Sequence, residues 1–226
     1  MRKTLVIGHR GAPYHGPENT LKSFGKALDH GVDMIELDVH MTKDRHLVVM
    51  HDTNLARMTG LDQEIKSLTL SEIKKFKAKG EDIPTLEEAL DFLKGKCMIN
   101  IESKVKDAAK PIIDMVKKKN LDDDVILASR SFEFLKAVKN LHPFIKTSWV
   151  FESPSLMYIL RAKMMGLYSL QPHINVTTSR MVRRAHKYNL KVFVWWNAYP
   201  LWRVNINKIR RIQPDGVITH DPRIKV

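Results

Sequence analysis

Apolar residues in this chain gather in short runs of strand length, and most of these runs lead into a stretch where apolar positions recur every three to four residues. The runs cover residues 5–8, 34–39, 47–50, 98–101, 125–128, 147–151, 168–171, 192–195 and 216–219. Strand-length runs alternating with helical periodicity predict parallel strands joined by crossover helices. Nine runs are one too many for an eight-stranded barrel. The surplus resolves on geometry, because only a few polar residues separate His40 from Leu47. A parallel crossover needs about a dozen residues, so these two runs form an antiparallel hairpin. Eight parallel strands remain, which is the count of a (β/α)8 TIM barrel. With the hairpin turn near Asp44, His51 falls opposite Leu37, between Glu36 and Asp38.

Helical periodicity covers 20–30, 86–94, 108–119, 132–140, 155–165, 179–188 and 201–212, with Gly31, Gly95 and Gly166 placed to cap three of these helices. Residues 53–84 exceed a normal loop and read as a small insertion after the second strand, carrying one short helix over 72–79. There is no low-complexity tract, flexible linker or internal sequence repeat.

Composition narrows the picture. A chain of 226 residues that is 43% apolar and 28% charged suits one α/β barrel domain over 1–226. The single cysteine, Cys97, lies in an apolar run and excludes both an intrachain disulfide and a multi-cysteine zinc site. The stretch Leu5-Val6-Ile7 is too short for a secretory core, and no run approaches the ~20 apolar residues of a membrane span. A soluble, cytoplasmic protein is expected.

Charge adds a puzzle. The net +13 is uneven, because residues 153–226 hold 13 Lys and Arg against only Asp215 and Asp221. Solvated helix faces are the simplest explanation, with nucleic acid, anionic lipid or phosphorylated substrates as alternatives. No basic stripe is interleaved with aromatic rings, so nucleic acid is not expected as a partner. A membrane surface is possible but not favoured, since no basic amphipathic stretch carries an aromatic face. Oligomeric state is not legible.

In such barrels the chemistry sits at the C-terminal ends of the strands. His9-Arg10 closes the first strand, Glu36 and Asp38 the second, and Glu102-Ser103-Lys104 the third; Ser129-Arg130, His173, Trp195-Trp196-Asn197 and Thr219-His220-Asp221 close later ones. Glu36 and Asp38 are two apart on a strand and face one side together. With Glu102 they form a hard-oxygen site suited to Mg²⁺, Ca²⁺ or Mn²⁺. His9 and His51 flank it as a potential acid–base pair. Arg10 offers a planar fork for phosphate oxygens and Lys104 a point charge. Trp195 is placed either to stack on a substrate or to pack in the core. Divalent cation, side-chain cations and two histidines together fit phosphoryl-ester cleavage.

These residues resemble a known family. His9-Arg10-Gly11, Pro17-Glu18-Asn19-Thr20, Glu36-Leu37-Asp38-Val39, His51-Asp52, Ile83-Pro84-Thr85-Leu86-Glu87-Glu88, Glu102-Ser103-Lys104 and Asp215-Gly216-Val217-Ile218-Thr219 form an ordered set spanning the chain. The set is similar to that of the glycerophosphodiester phosphodiesterases, among the barrel enzymes related to phosphatidylinositol-specific phospholipase C. The resemblance implies metal ligands Glu36, Asp38 and Glu102, a catalytic pair His9 and His51, phosphate holders Arg10 and Lys104, and release of glycerol 3-phosphate from a small glycerophosphodiester. Two departures stand out. Trp195-Trp196-Asn197-Ala198 replaces the usual Trp-Thr-Val-Asn, and Thr219-His220-Asp221-Pro222 the usual Thr-Asp-x-Pro. Both are expected on the rim opposite the carboxylates, where they would touch substrate preference rather than chemistry. Rival readings are a barrel phospholipase acting on lysolipids or sphingolipids, and a nucleic-acid-binding barrel without turnover.

Overall fold

The computed structural model describes residues 3–196 and 206–224. Strand β1 (Leu5–His9) leads into helix α1 (Leu21–Asp29), capped by the Thr20 side chain on the Ser23 amide. β2 (Met34–Met41) turns back into β3 (Leu47–Val49). The insertion follows, with α2 (Ala56–Thr59), a 3₁₀ turn (Ile65–Ser67), α3 (Leu70–Ile73) and a small hairpin of β4 (Lys77–Ala78) and β5 (Glu81–Asp82). The alternation then resumes with α4 (Leu86–Leu93), β6 (Met98–Ser103), α5 (Ala109–Lys118), β7 (Val125–Ser129), α6 (Phe132–Leu141) and β8 (Lys146–Phe151). It ends with α7 (Met157–Met164), β9 (Ser169–Pro172), α8 (Ser179–Lys187), β10 (Lys191–Trp195), α9 (Ile206–Ile212) and β11 (Gly216–Thr219).

Strands β1, β2, β6, β7, β8, β9, β10 and β11 run parallel in that order, and β11 pairs with β1 to close the barrel. All nine strands expected from the sequence are present. The hairpin register is also as expected: Val39 pairs with Val49 and Met41 with Leu47, which carries His51 on to the level of Leu37. One edge of β2 belongs throughout to β6; the other is taken first by β1, up to His9 against Glu36, and then by β3 from Val39 onward. His9 and His51 thus approach the carboxylate pair along one edge from opposite ends.

β2 shows how a period of two sorts side chains. Ile35, Leu37 and Val39 join the large core between barrel and helices. Glu36 and Asp38 take the inner face. Lower in the barrel, Ile7, Met34, Ile126, Phe193 and Ile218 fill the interior around a polar layer in which the Asn100 and Gln171 amides bond each other.

The insertion differs from expectation. No helix spans 72–79. Thr69 and Glu72 form a capping box that starts α3 at Leu70, and the helix ends at Ile73. Lys79 and Gly80 then adopt positive φ (49° and 92°) and turn β4 into β5. Val48, Met50, Leu55, Met58, Ile65 and Ile83 give the insertion its own small core. The last expected helix is present from Ile206, and its first residues, 201–205, lie outside the described residues. Among the described residues no helix is long and apolar enough to cross a membrane.

Candidate active site

Parallel pairing sets Asp38 beside Glu102 on β6, and with Glu36 one step back on the same face the three carboxylates bring ligand atoms within 4.8 Å of one another. All three are buried. Lys104 Nζ lies 2.8 Å from Asp38 Oδ1 and 2.7 Å from Glu102 Oε1, and Arg10 Nε lies 3.1 Å from Asp38 Oδ2. These two cations hold the Asp38 carboxyl far below its usual range, Lys104 first and Arg10 next, although burial alone would raise it. Glu36 fares oppositely. Burial pushes it well above the ordinary carboxylate range, and the neighbouring Asp38 and Glu102 add to the effect. Its Oε2 accepts the Arg10 amide at 2.9 Å, whereas its buried Oε1 has no hydrogen-bond partner among the described residues. An unpaired carboxylate oxygen beside two further carboxylates, with no thiolate nearby, is a donor set that fits a hard divalent cation.

The turn after β1 explains the His-Arg-Gly run. Arg10 sits at φ 58° and Gly11 at φ 87°. A Cβ on Gly11 would come within 2.7 Å of the Ser23 backbone, so only glycine passes here. Ser23 Oγ donates to the Arg10 carbonyl at 3.0 Å and the Asn19 amide donates to the same oxygen at 3.0 Å. The Pro-Glu-Asn-Thr run is the matching half of this clamp. Asn19 Nδ2 donates to Asp38 Oδ2 at 2.9 Å, and Glu18 Oε1 accepts from Arg10 at 2.9 Å and from Arg57 of α2 at 2.6 Å.

Arg57 also donates to Asp52 Oδ2 at 2.5 Å, while Asp52 Oδ1 meets His51 Nδ1 at 2.6 Å. One insertion side chain therefore steadies both His51 and, through Glu18, Arg10. His9 lies on the far side of Glu36, its Nε2 3.9 Å from Glu36 Oε2. Burial, then the neighbouring His220 and Arg10, hold its imidazole well below the ordinary histidine range, so it is neutral at neutral pH.

A cavity of about 240 Å³ opens over this constellation and brings His9, Arg10, Glu36, His51, Glu102, Lys104 and Trp195 together. Asp38 sits beneath it, engaged by Arg10, Lys104 and Asn19. Trp195 is both core and lining: its Nε1 donates to the Gln171 carbonyl at 3.0 Å, and Arg130 lies over its ring at 5.1 Å. His173 meets the same ring edge-on.

Sequence reasoning gave Arg130 no role and passed over Glu152 and Gln171, all of which line the cavity. Arg130 and Glu152 pair at 2.6 Å, each just past the end of its strand, β7 and β8. The strand-end rule that found Glu102 applies to both.

One expectation needs correcting. His220 is not on the opposite rim, because β11 neighbours β1, and its ring stacks on His9 at 4.4 Å and 15°. That departure touches a candidate catalytic residue. Trp196 is buried in the core between barrel and helices, away from the cavity, and Asn197 and Ala198 lie outside the described residues.

Comparison with known proteins agrees with this geometry. The sequence profile of the glycerophosphoryl diester phosphodiesterase family matches residues 9–224. A glycerophosphodiester phosphodiesterase of Caldanaerobacter subterraneus is 35% identical, covering 97% of this chain and 95% of its own. The crystal structure of a glycerophosphodiester phosphodiesterase from Thermotoga maritima has a TM-score of 0.84 at 30% identity, covering 99% of this chain and 97% of that one. A phosphodiesterase from Oleispira antarctica, solved in complex with the product sn-glycerol-3-phosphate, shares the fold with a TM-score of 0.85 at 24% identity, covering 97% and 94% of the two chains.

Proposed function

Since the chain belongs to the glycerophosphoryl diester phosphodiesterase family and is a glycerophosphodiester phosphodiesterase, we propose that it is metal-dependent and cleaves small diesters to glycerol 3-phosphate and an alcohol, with His9 and His51 as its acid–base pair. The observation that carries this reading is the buried, unpartnered Oε1 of Glu36, held among three carboxylates below a cavity lined by two imidazoles and three cations. Glu36, Asp38 and Glu102 would hold the ion. Bound there, Mg²⁺, Ca²⁺ or Mn²⁺ would act as a Lewis acid toward a non-bridging phosphate oxygen.

The protein's own groups do the rest. Arg10 and Lys104 are fixed before substrate arrives and take up negative charge developing on the phosphoryl oxygens. His9, neutral and buried, accepts a proton from the attacking water. His51, its ring held in place by the Asp52 carboxylate at Nδ1, protonates the departing alcohol. Trp195, with Arg130 over it, walls the substrate. A cavity of about 240 Å³ suits a glycerophosphodiester better than an acylated lipid. The product named for the Oleispira enzyme, sn-glycerol 3-phosphate, is the product expected here. The barrel acts as one domain, in the cytoplasm.

Metal-stripped protein with glycerophosphocholine, with each ion added back, tests the reading through glycerol 3-phosphate release. Release restored by metal, and reduced on the order of 10²–10⁴-fold in His9→Ala and in His51→Ala, is the expected result. Release independent of metal, or retained in both variants, would sink it.

A further inference from the structure

The barrel end away from the cavity carries a surface that the reaction does not use. Turns that follow helices lie at the N-terminal ends of the strands, opposite the catalytic rim. β8, β9, β10 and β11 are successive neighbours in the ring, so the turns entering them form a continuous arc. The last turns of α7, α8 and α9 contribute Lys163, Lys187 and Arg211 to this arc, and none of these three helices contains an Asp or Glu.

Arg180, Arg183, Arg184, Lys187 and Tyr188 line a shallow groove along α8, and Lys163 lies over the Tyr188 ring at 4.5 Å. The acid of this arc is already engaged: Asp215 is paired with His186 at 2.7 Å and Lys191 at 3.0 Å. Around the ring, acidic side chains return at the turn before β7, where Asp122 takes His142 at 2.6 Å, and at the turn before β2, where Asp33 takes Lys3 at 2.8 Å. The groove arginines and Lys187 make no ion pair with a carboxylate among the described residues.

Beside this basic arc stand the two most exposed large apolar side chains described. Phe144, in the turn entering β8, is 91% exposed, and Met164, at the end of α7, is 86% exposed. Basic side chains flanking protruding apolar ones match the two layers of a bilayer interface, anionic headgroups and the acyl boundary below them. A single-stranded polynucleotide track would instead offer a series of open aromatic faces, and here Lys163 lies over the Tyr188 ring. We propose that this rim docks the enzyme peripherally on an anionic phospholipid bilayer, leaving the catalytic mouth turned toward water.

Vesicle co-sedimentation tests it, using phosphatidylcholine vesicles with and without phosphatidylglycerol. The protein should sediment with the anionic vesicles only and release as salt is raised. Each basic side chain neutralised should weaken partitioning about fivefold, so Arg183→Gln, Arg184→Gln and Lys187→Gln together should cost about 100-fold. Phe144→Ser with Met164→Ser should cost about tenfold or more. Turnover of dissolved glycerophosphocholine should stay at the wild-type level in both variants, which also reports that they fold. No sedimentation, equal binding to pure phosphatidylcholine, or wild-type binding by the triple variant would overturn the proposal. Displacement from anionic vesicles by duplex DNA at equal phosphate would also overturn it, assigning the surface to polynucleotide instead.

Discussion

Replacing Glu36 by Gln separates the charge of this side chain from its shape. Glu36 Oε2 accepts the Arg10 amide, and a glutamine keeps that acceptor in place. The amide nitrogen then stands where Oε1 was, at a position with no partner among the described residues. A neutral unpaired donor there is less costly than a buried unpaired carboxylate beside Asp38 and Glu102. Metal-free Glu36→Gln should therefore melt no lower than the metal-free wild type. The metal response should differ sharply. At an ion concentration about 100-fold above Kd, linkage stabilises the folded state by about 2.7 kcal/mol. For a chain of this size that is a rise in Tm of about 5–11 °C. The variant, short of one of three carboxylates, should rise by less than about 2 °C at the same concentration. Thermal unfolding with and without Mg²⁺, Ca²⁺ and Mn²⁺ reads both effects. A full metal-induced rise in the variant would refute the assignment of Glu36 as a ligand, and a marked loss of metal-free stability would refute the charge argument behind it.

Arg57→Ala should lower kcat/KM about 10–100-fold with little change in Tm, because the half-exposed guanidinium steadies Asp52 and Glu18 rather than the core; steady-state kinetics beside a melting curve check it. Gly11→Ala should cost about 2–4 kcal/mol in urea unfolding, since the positive φ and the Ser23 backbone leave no room for a Cβ. Asp215→Asn should cost about 1.5–3 kcal/mol at neutral pH, because the carboxylate accepts the Val192 amide and pairs with His186 and Lys191. Burial alone would raise the Asp215 pKa, but those partners, led by the amide, depress it in the fold. Its contribution is then present above the unfolded carboxyl pKa and is lost as pH falls through the lower folded value, so wild-type and variant stabilities should converge in acid.

Most of the barrel was legible because its strands are short apolar runs with polar ends, and the period of two on β2 was enough to separate Leu37 from Glu36 and Asp38. Steric necessity in the 40–47 turn gave the hairpin and with it the place of His51. The insertion was harder. A capping box at Thr69 and a left-handed Lys79–Gly80 turn overrode the helical composition of 72–79, and both are local decisions that a periodicity scan averages away. His220 was misplaced for a different reason. Its position in sequence gives the strand end correctly, but closure of the barrel through the β1–β11 pairing is what brings it onto His9. The roles of Glu18 and Asn19 were hidden in the same way, because their partners lie across the turn, on β2 and in the insertion.

The unevenness of the site's own stabilisation argues that it is built for a ligand and not for the fold. Arg10 and Asn19 both sit at φ 58°, a conformation that costs of order 1–3 kcal/mol each, and side chains from α1, β2 and the insertion converge to hold them there. Asp38 is engaged at both oxygens, by Asn19 and Lys104, whereas Glu36 is engaged at one only, by the Arg10 amide. A site selected for stability alone would extend a donor to Glu36 Oε1, or place an apolar residue there as at Leu37. Instead the chain surrounds Asp38 with Arg10, Lys104 and Asn19 and leaves Glu36 raised toward its neutral form. Neutralisation by a divalent cation resolves that imbalance without moving the backbone, since the three carboxylates are already together on two paired strands.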